Sequence, residues 1–337
     1  MQGKTSIDES SIVVFTICSV NYLAQAKSFY DSLQKFHANI TFNVGLCDTL
    51  ADKALDYTKI GNLPIIEVHR IGIPDFVNLC QHYDITELNT AIKPYFFNYF
   101  LRDLSVKQVF YFDPDILIFS SLNPLFETLN SNNFVLTPHI TTPLPTDGLY
   151  PDQTAHLETG VFNLGFIGIK NNKIGKEMAN WWGDNLAKEC IIDLENGLFV
   201  DQKWIDLVPN LFKGVAIVKN LGYNVAYWNF HERKLELKQN LWYINQNTPL
   251  CFFHFSGFQL KNKTFISKYQ NRFTFENRPD LISIFDIYQK TLELNHNQYF
   301  EKFQCVYVKK KSKPKYLRIR KLMTYPLEVL RRLIAKV

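Results

Sequence analysis

A run of apolar and β-branched residues, IVVFTICSV, begins after Ser11 and stops at the polar pair Asn21 and Tyr22. A stretch that is apolar on both faces and rich in β-branched side chains predicts a buried parallel strand. The period then changes: Ala26, Phe29, Tyr30, Leu33 and Phe36 recur at spacings of three and four, which predicts one buried stripe of a helix. ITFNVGLCD returns to strand character and closes on Asp48, so the chain opens as strand, helix, strand. Further strands are predicted at PIIEVHRI, VKQVFYFD and NFVLTPH with helical patterns between them, an alternation that points to an α/β fold of the doubly wound type. GVFNLGFIGIK predicts a strand pair, or one strand with close backbone approach at Gly165 and Gly168, and the helix GKEMANWWGDNLAKEC follows.

With 337 residues, 46% hydrophobic and 20% charged, the chain can bury a sizeable core, and disordered, collagenous and coiled-coil readings are excluded. Residues 1–10 are polar and are expected to be disordered, and residues 11–308 form the folded body. The net charge of +5 hides an asymmetry: residues 309–337 hold 11 Lys or Arg against the single acid Glu328, which leaves 26 basic against 31 acidic residues in the body. An acidic body argues against nucleic-acid binding. The six cysteines lie 29 or more residues apart without zinc-type spacing, which suits reduced thiols in the cytoplasm. No signal peptide or membrane-spanning run is visible.

In doubly wound sheets ligands bind at the carboxyl ends of the strands, and Asn21, Tyr22, Asp48, Asp113 and Asp115 fall there. In VFYFDPDILIF the apolar strand ends in Asp113-Pro114-Asp115. Two carboxylates at a spacing of two share one side of an extended backbone, as a hard divalent cation requires. Asn163-Leu164-Gly165, Asp201-Gln202 ahead of the helix-like DQKWIDLV, and His254 in CFFHFSGF each have a plain explanation when taken singly: a turn, an N-cap and a core histidine.

Taken together and in this order, Asn21-Tyr22, Asp113-x-Asp115, Asn163-x-Gly165, Asp201-Gln202 and His254-x-x-Gly257 resemble the nucleotide-sugar glycosyltransferases of GT-A fold. The likeness is greatest to family 8, which includes bacterial lipopolysaccharide galactosyltransferases and glycogenin. It spans about residues 11–263. It implies a Rossmann-like mixed sheet flanked by helices, with a nucleotide-binding half at 11–135 and an acceptor-side half at 136–308. It further implies that Asn21 and Tyr22 hold the base, that Asp113, Asp115 and His254 hold Mn²⁺ or Mg²⁺ across a diphosphate, and that Lys93 stands near the donor. Asn163, Asp201 and Gln202 would act around the transferred sugar. The family motif continues His-x-x-Gly-x-x-Lys-Pro-Trp. Here Lys261 stands seven residues after His254 and Asn262-Lys263 follow it, so the phosphate role falls to Lys261 or Lys263.

The implied activity is metal-dependent transfer of a sugar from a nucleotide-diphosphate sugar, a UDP-sugar in first place, to a glycan or lipid-linked glycan hydroxyl. A divalent metal and lysines are the direct way to stabilise a departing diphosphate. Trp228, Phe255 and Phe258 are aromatic candidates for stacking on sugar faces, with core packing as the alternative. Two rival readings are a phosphatase of the haloacid dehalogenase type and a non-catalytic sugar-nucleotide binder. The first requires its Asp-x-Asp near the chain start followed by Thr or Val, whereas Leu117 stands here. In the tail, five Lys at 309–315 precede Ile319, Leu322, Met323, Val329, Leu330, Leu333 and Ile334 at helical spacing among basic residues. That pattern suits a basic amphipathic anchor on the anionic inner face of a membrane.

Overall fold

The computed structural model of the protein describes residues 7–51 and 53–308. Strand β1 (Ile12–Cys18) is followed by helix α1 (Leu23–Gln34) and by strands β2 (Thr41–Leu46), β3 (Ile65–Glu67), β4 (Gln108–Phe112), β5 (Ile116–Ile118), β6 (Phe134–Pro138) and β7 (Phe162–Lys170). Seven strands form one mixed sheet in the order Val215–Ile217, β6, β7, β4, β1, β2, β3. Strand β7 is antiparallel to both of its neighbours and every other pair is parallel. The expected α/β class, a mixed sheet flanked by helices, is therefore what forms, with GVFNLGFIGIK as one strand.

Strand β1 is buried along its whole length because alternate side chains enter two different cores. Val13, Phe15 and Ile17 pack on one face, and Ile12, Val14 and Cys18 on the other, against Phe29 and Leu33 of α1. Much of the aromatic content is used here: the Phe15 ring meets Phe97, Tyr111 and Phe100 at centroid distances of 4.9, 5.2 and 5.3 Å. Phe255 and Phe258 join a third core around Phe285 and Tyr288, so packing explains both.

Three expectations about the elements change. The strand expected over PIIEVHRI reaches only Ile65–Glu67 and gives way to a 3-10 turn at Val68–Arg70, since this sheet edge pairs with β2 alone. Of the segment expected to be disordered, residues 7–10 are described: Glu9–Ser11 form a 3-10 turn, Ile7 packs on the core, and Glu9 Oε1 lies 2.6 Å from Nδ1 of the buried His37. The helix-like DQKWIDLV resolves into short helices at Gln202–Ile205 and Val208–Leu211. All six cysteines are free. Among the described residues no helix is long and apolar enough to cross a membrane, and the basic tail at 309–337 lies outside them.

Candidate functional site

Strand β4 ends at Phe112, and the backbone N–H of Asp113 donates to Gly165 O on β7 at 2.8 Å. Pro114 turns the chain into β5, which pairs antiparallel with Phe252–His254 so that His254 stands opposite Ile116. That register brings a residue distant in sequence beside the Asp-x-Asp turn. His254 Nε2 lies 3.1 Å from Asp115 Oδ1 and 3.6 Å from Asp113 Oδ2, and the three ligand atoms fall within 4.8 Å of one another. The imidazole is buried while the carboxylates keep 28% and 20% of their surface open. Gly165 makes room for the ring, because a Cβ there would overlap the His254 imidazole.

His254 Nδ1 donates to Asn224 Oδ1 at 3.3 Å, which turns Nε2 toward the carboxylates. Burial opposes a charge on this ring, but Asp115 and then Asp113 outweigh it and raise the imidazole above its ordinary value. A cation-binding group is the plain reading of such a set. Two carboxylates and an imidazole, open on the carboxylate side, match what a divalent ion that also holds substrate oxygens requires.

Lys93, at the start of the helix Lys93–Phe100, carries a buried ammonium group. Its Nζ lies 2.7 Å from Asp201 Oδ2 and 3.8 Å from Asp113 Oδ1, donates to Leu164 O at 3.0 Å, and sits 4.4 Å from the centre of the Tyr111 ring. Burial would lower this lysine, yet Asp201 and Asp113 raise it, so the ammonium is held charged. For Asp201 burial wins: it raises the carboxyl above its ordinary value although Lys93 opposes it. The Trp182 indole donates to Asp201 O at 3.2 Å and fixes the backbone there.

Gln202 Oε1 accepts from Leu164 N at 3.1 Å and lies 3.4 Å from Asn163 Nδ2, while its own amide donates to Thr159 O. Asn224 Nδ2 donates to Asn163 Oδ1 at 3.0 Å and to Thr137 Oγ1 at 2.9 Å. A continuous polar network therefore runs from His254 through Asn224 and Asn163 to Gln202. Neither Asn224 nor Tyr111, whose phenol donates to Asp113 Oδ1 at 2.5 Å, was marked by sequence reasoning. Tyr111 reads as one more apolar strand position. For Asn224 the signal is its left-handed φ of 50°, which the sequence does not display.

The remaining candidates divide. Tyr22 is 44% exposed, near enough to Asp115 to feel its charge and close to the Tyr269 phenol, while Asn21 Oδ1 accepts from Ser19 Oγ at 2.6 Å beside it. Asp48 is fully buried, and its oxygens accept from the backbone N–H groups of Val20, Thr49 and Val306, with Lys53 Nζ at 3.4 Å. Asp48, a strand-end ligand candidate in the sequence, thus ties three chain segments together, the one that carries Val306 among them. Lys261 pairs with Glu301 and Lys263 with Glu293 on the exposed surface. Lys268, unmarked in the sequence, instead bonds through its backbone N–H to Gly257 O at 3.1 Å, and its ammonium has no acidic partner among the described residues. It borders a cavity of about 240 Å³ with Gly257, Ser267 and Gln270. Trp228 is buried and meets His254 edge to face at 5.2 Å.

No family model matches the chain. Relatives include two Bacillus subtilis (strain 168) proteins named as uncharacterized. YfnF is 25% identical over 280 residues, covering 82% of this chain and 90% of its own. YfnD is 28% identical over 248 residues, covering 73% and 77%. Similar solved structures include the galactosyltransferase LgtC in complex with donor and acceptor sugar analogs, at 18% identity and a TM-score of 0.46 over 72% of this chain and 86% of that one. Another is the glycosyltransferase GlyE in Streptococcus pneumoniae TIGR4, at 17% identity and a TM-score of 0.47 over 86% of this chain and 63% of that one. These neighbours are glycosyltransferases of GT-A fold.

Proposed function

We propose that residues 11–308 form a metal-dependent glycosyltransferase that moves a sugar from a UDP-sugar to a hydroxyl of a glycan or lipid-linked glycan acceptor. The observation that carries this reading is the Asp113, Asp115 and His254 group set against the buried Lys93–Asp201 pair. Asp113, Asp115 and His254 would hold the ion, and the imidazole in the set favours Mn²⁺ over Mg²⁺. When bound, it would supply Lewis-acid stabilisation of a leaving diphosphate.

The chain's own residues do the rest. Asn21 and Tyr22, at the end of β1, would hold the base, and Lys268 above Gly257 replaces Lys261 and Lys263 as the phosphate-side cation. Lys93 holds the Asp201 carboxylate in place at 2.7 Å, and the Asn163 and Gln202 amides, fixed by Asn224 and Leu164, would position the sugar and the incoming hydroxyl. The basic tail would hold the enzyme at an anionic membrane surface on the cytoplasmic side, where a growing cell-surface polysaccharide or lipo-oligosaccharide is assembled.

The test is UDP binding with and without Mn²⁺, followed by donor hydrolysis across UDP- and GDP-sugars. Metal-dependent UDP binding with turnover of a UDP-sugar is expected. Equal binding in EDTA would overturn the metal assignment, and binding without turnover of any donor would leave a sugar-nucleotide binder.

A further inference from the structure

Buried side-chain nitrogens and oxygens that no protein group satisfies concentrate in one place. Leaving aside Asp201 Oδ2, which Lys93 Nζ pairs with, ten such atoms occur among the described residues, and five of them belong to His139, His156, His231 and Trp228. His156, on the short helix Gln153–Thr159, is 7% exposed and has both ring nitrogens unpaired; Nδ1 of His139 and Nε1 of Trp228 are also unpaired, at 5% and 2% exposure. The rings touch in series, His156 to His139 at 4.9 Å, His139 to Trp228 at 5.3 Å and Trp228 to His254 at 5.2 Å, so the row ends at the metal-group histidine. A buried polar atom without a partner costs about 1–3 kcal/mol. A row of them marks a place whose missing partner comes from outside the chain.

An aromatic wall stands beside this row. The Tyr227 ring meets Trp228 at 5.0 Å and Tyr269 at 6.3 Å, and Tyr150 lies close enough to Tyr227 to affect its phenol. Tyr150 and Tyr269 are 50% and 47% exposed. Burial, and then the neighbouring His231 ring, push His156 down to about 4, and burial together with His156 holds His139 well below its ordinary value. Both imidazoles are thus neutral at pH 7: His139 Nε2 lies 3.3 Å from Asn163 Nδ2, which leaves its Nδ1, and His156 keeps one N–H and one lone pair free. That is the complement of a hydroxyl, which both donates and accepts, and not of an anion. Asp152 and Glu158, near Tyr150, add negative charge at the rim.

We propose that His139, His156 and Trp228 form the polar floor, and Tyr150, Tyr227 and Tyr269 the aromatic wall, of a subsite for an uncharged sugar ring of the acceptor. The assignment to the acceptor rests on the transferase reading above and names its class: a neutral hexose, with uronic and other acidic sugars disfavoured.

The experiment uses the full chain with UDP and Mn²⁺, and titrates methyl β-galactoside, methyl β-glucoside and methyl β-glucuronide by saturation-transfer NMR. UDP affinity in the same samples reports that each variant is folded. A neutral glycoside is expected to bind the parent, at least fivefold more weakly to His156→Leu, Trp228→Phe and Tyr150→Ala, with part of the loss recovered in His156→Gln, and the glucuronide is expected not to bind. Equal affinity for His156→Leu and Tyr150→Ala, or a glucuronide that binds as well as the neutral sugars, overturns the subsite. If UDP binds and no neutral glycoside does, the row holds water only and the subsite alone fails. If the glycosides bind and UDP does not, the subsite stands and the transferase reading fails.

Discussion

Lys93 Nζ and Asp201 Oδ2 lie 2.7 Å apart with side chains only 3% and 2% exposed, which makes them a buried ion pair at the centre of the molecule. Breaking such a pair from one side strands a charge in a low-dielectric place. Lys93→Met is therefore expected to lose about 3–5 kcal/mol in chemical denaturation. The double variant Lys93→Met with Asp201→Asn should recover part of that loss, since neither charge then remains. Losses that simply add would show that the two side chains do not depend on each other.

Asp115 contributes an oxygen 3.1 Å from His254 Nε2 and keeps an open face. Asp115→Ala is expected to abolish Mn²⁺-dependent turnover while the metal-free protein stays folded, with its melting temperature within a few degrees of the parent, because one of two neighbouring like charges is gone. Full EDTA-sensitive turnover in the variant would remove Asp115 from the metal site.

A methyl group at position 165 would collide with the His254 ring. Gly165→Ala should cost about 1–3 kcal/mol of stability through overpacking. Its sharper signature is at least a tenfold loss of Mn²⁺ affinity, read by calorimetry. Unchanged metal affinity would mean that His254 is not a ligand.

Three lysines follow His254, and the structure separates them. Lys261 and Lys263 have acidic partners, whereas Lys268 is tied through its backbone to Gly257 and lacks one among the described residues. Lys268→Ala is expected to weaken UDP binding about fivefold to tenfold, roughly 1–1.4 kcal/mol, with Lys261→Ala and Lys263→Ala within twofold. A reversed order in the same titration would return the phosphate role to the sequence candidates.

His156 carries a pH signature. The unfolded chain takes up the proton near the ordinary histidine value of about 6.5, and the folded protein does so only at about 4, because burial and then His231 oppose the charge while Asp152 favours it and the His139 ring packs alongside. The stabilising contribution is present above the unfolded value and is lost as pH falls through the folded one. Stability should drop by up to about 3 kcal/mol between pH 6.5 and 4 on this account. His156→Gln should flatten that part of the curve. Urea midpoints at pH 7, 5.5 and 4.5 for both proteins decide it, and parallel curves would place the proton elsewhere.

How far the sequence was legible depends on whether the decisive contact is local. The strand ending in Asp113-Pro114-Asp115 and the α1 stripe at Ala26, Phe29 and Leu33 are set by neighbours along the chain, and both are visible in the pattern. His254 was named, but its place beside Asp115 depends on the β5 register with Phe252–His254, a pairing across more than 130 positions. The acidic partners of Lys261 and Lys263 and the return of the chain to Gly257 at Lys268 were not legible, because motif spacing assumes a loop of fixed length. Asn224 and the orphaned nitrogens of His139, His156 and Trp228 were illegible, since each is defined by what it does or does not meet across the fold.

The fate of Asp48 bears on how this chain is made. Its Oδ1 accepts from Val306 N, 258 positions further on, as well as from Thr49 N, while Oδ2 takes Val20 N. The turn after the first strand and the turn after the second share a carboxylate whose third backbone partner lies far along the chain. At about 5–20 residues per second, a ribosome needs roughly 13–50 s to travel that distance. Until Val306 emerges, Asp48 has, among the described residues, only Val20 N, Thr49 N and Lys53 to meet, so the strap that closes over the first two strand-end turns reaches them long after the turns themselves are made.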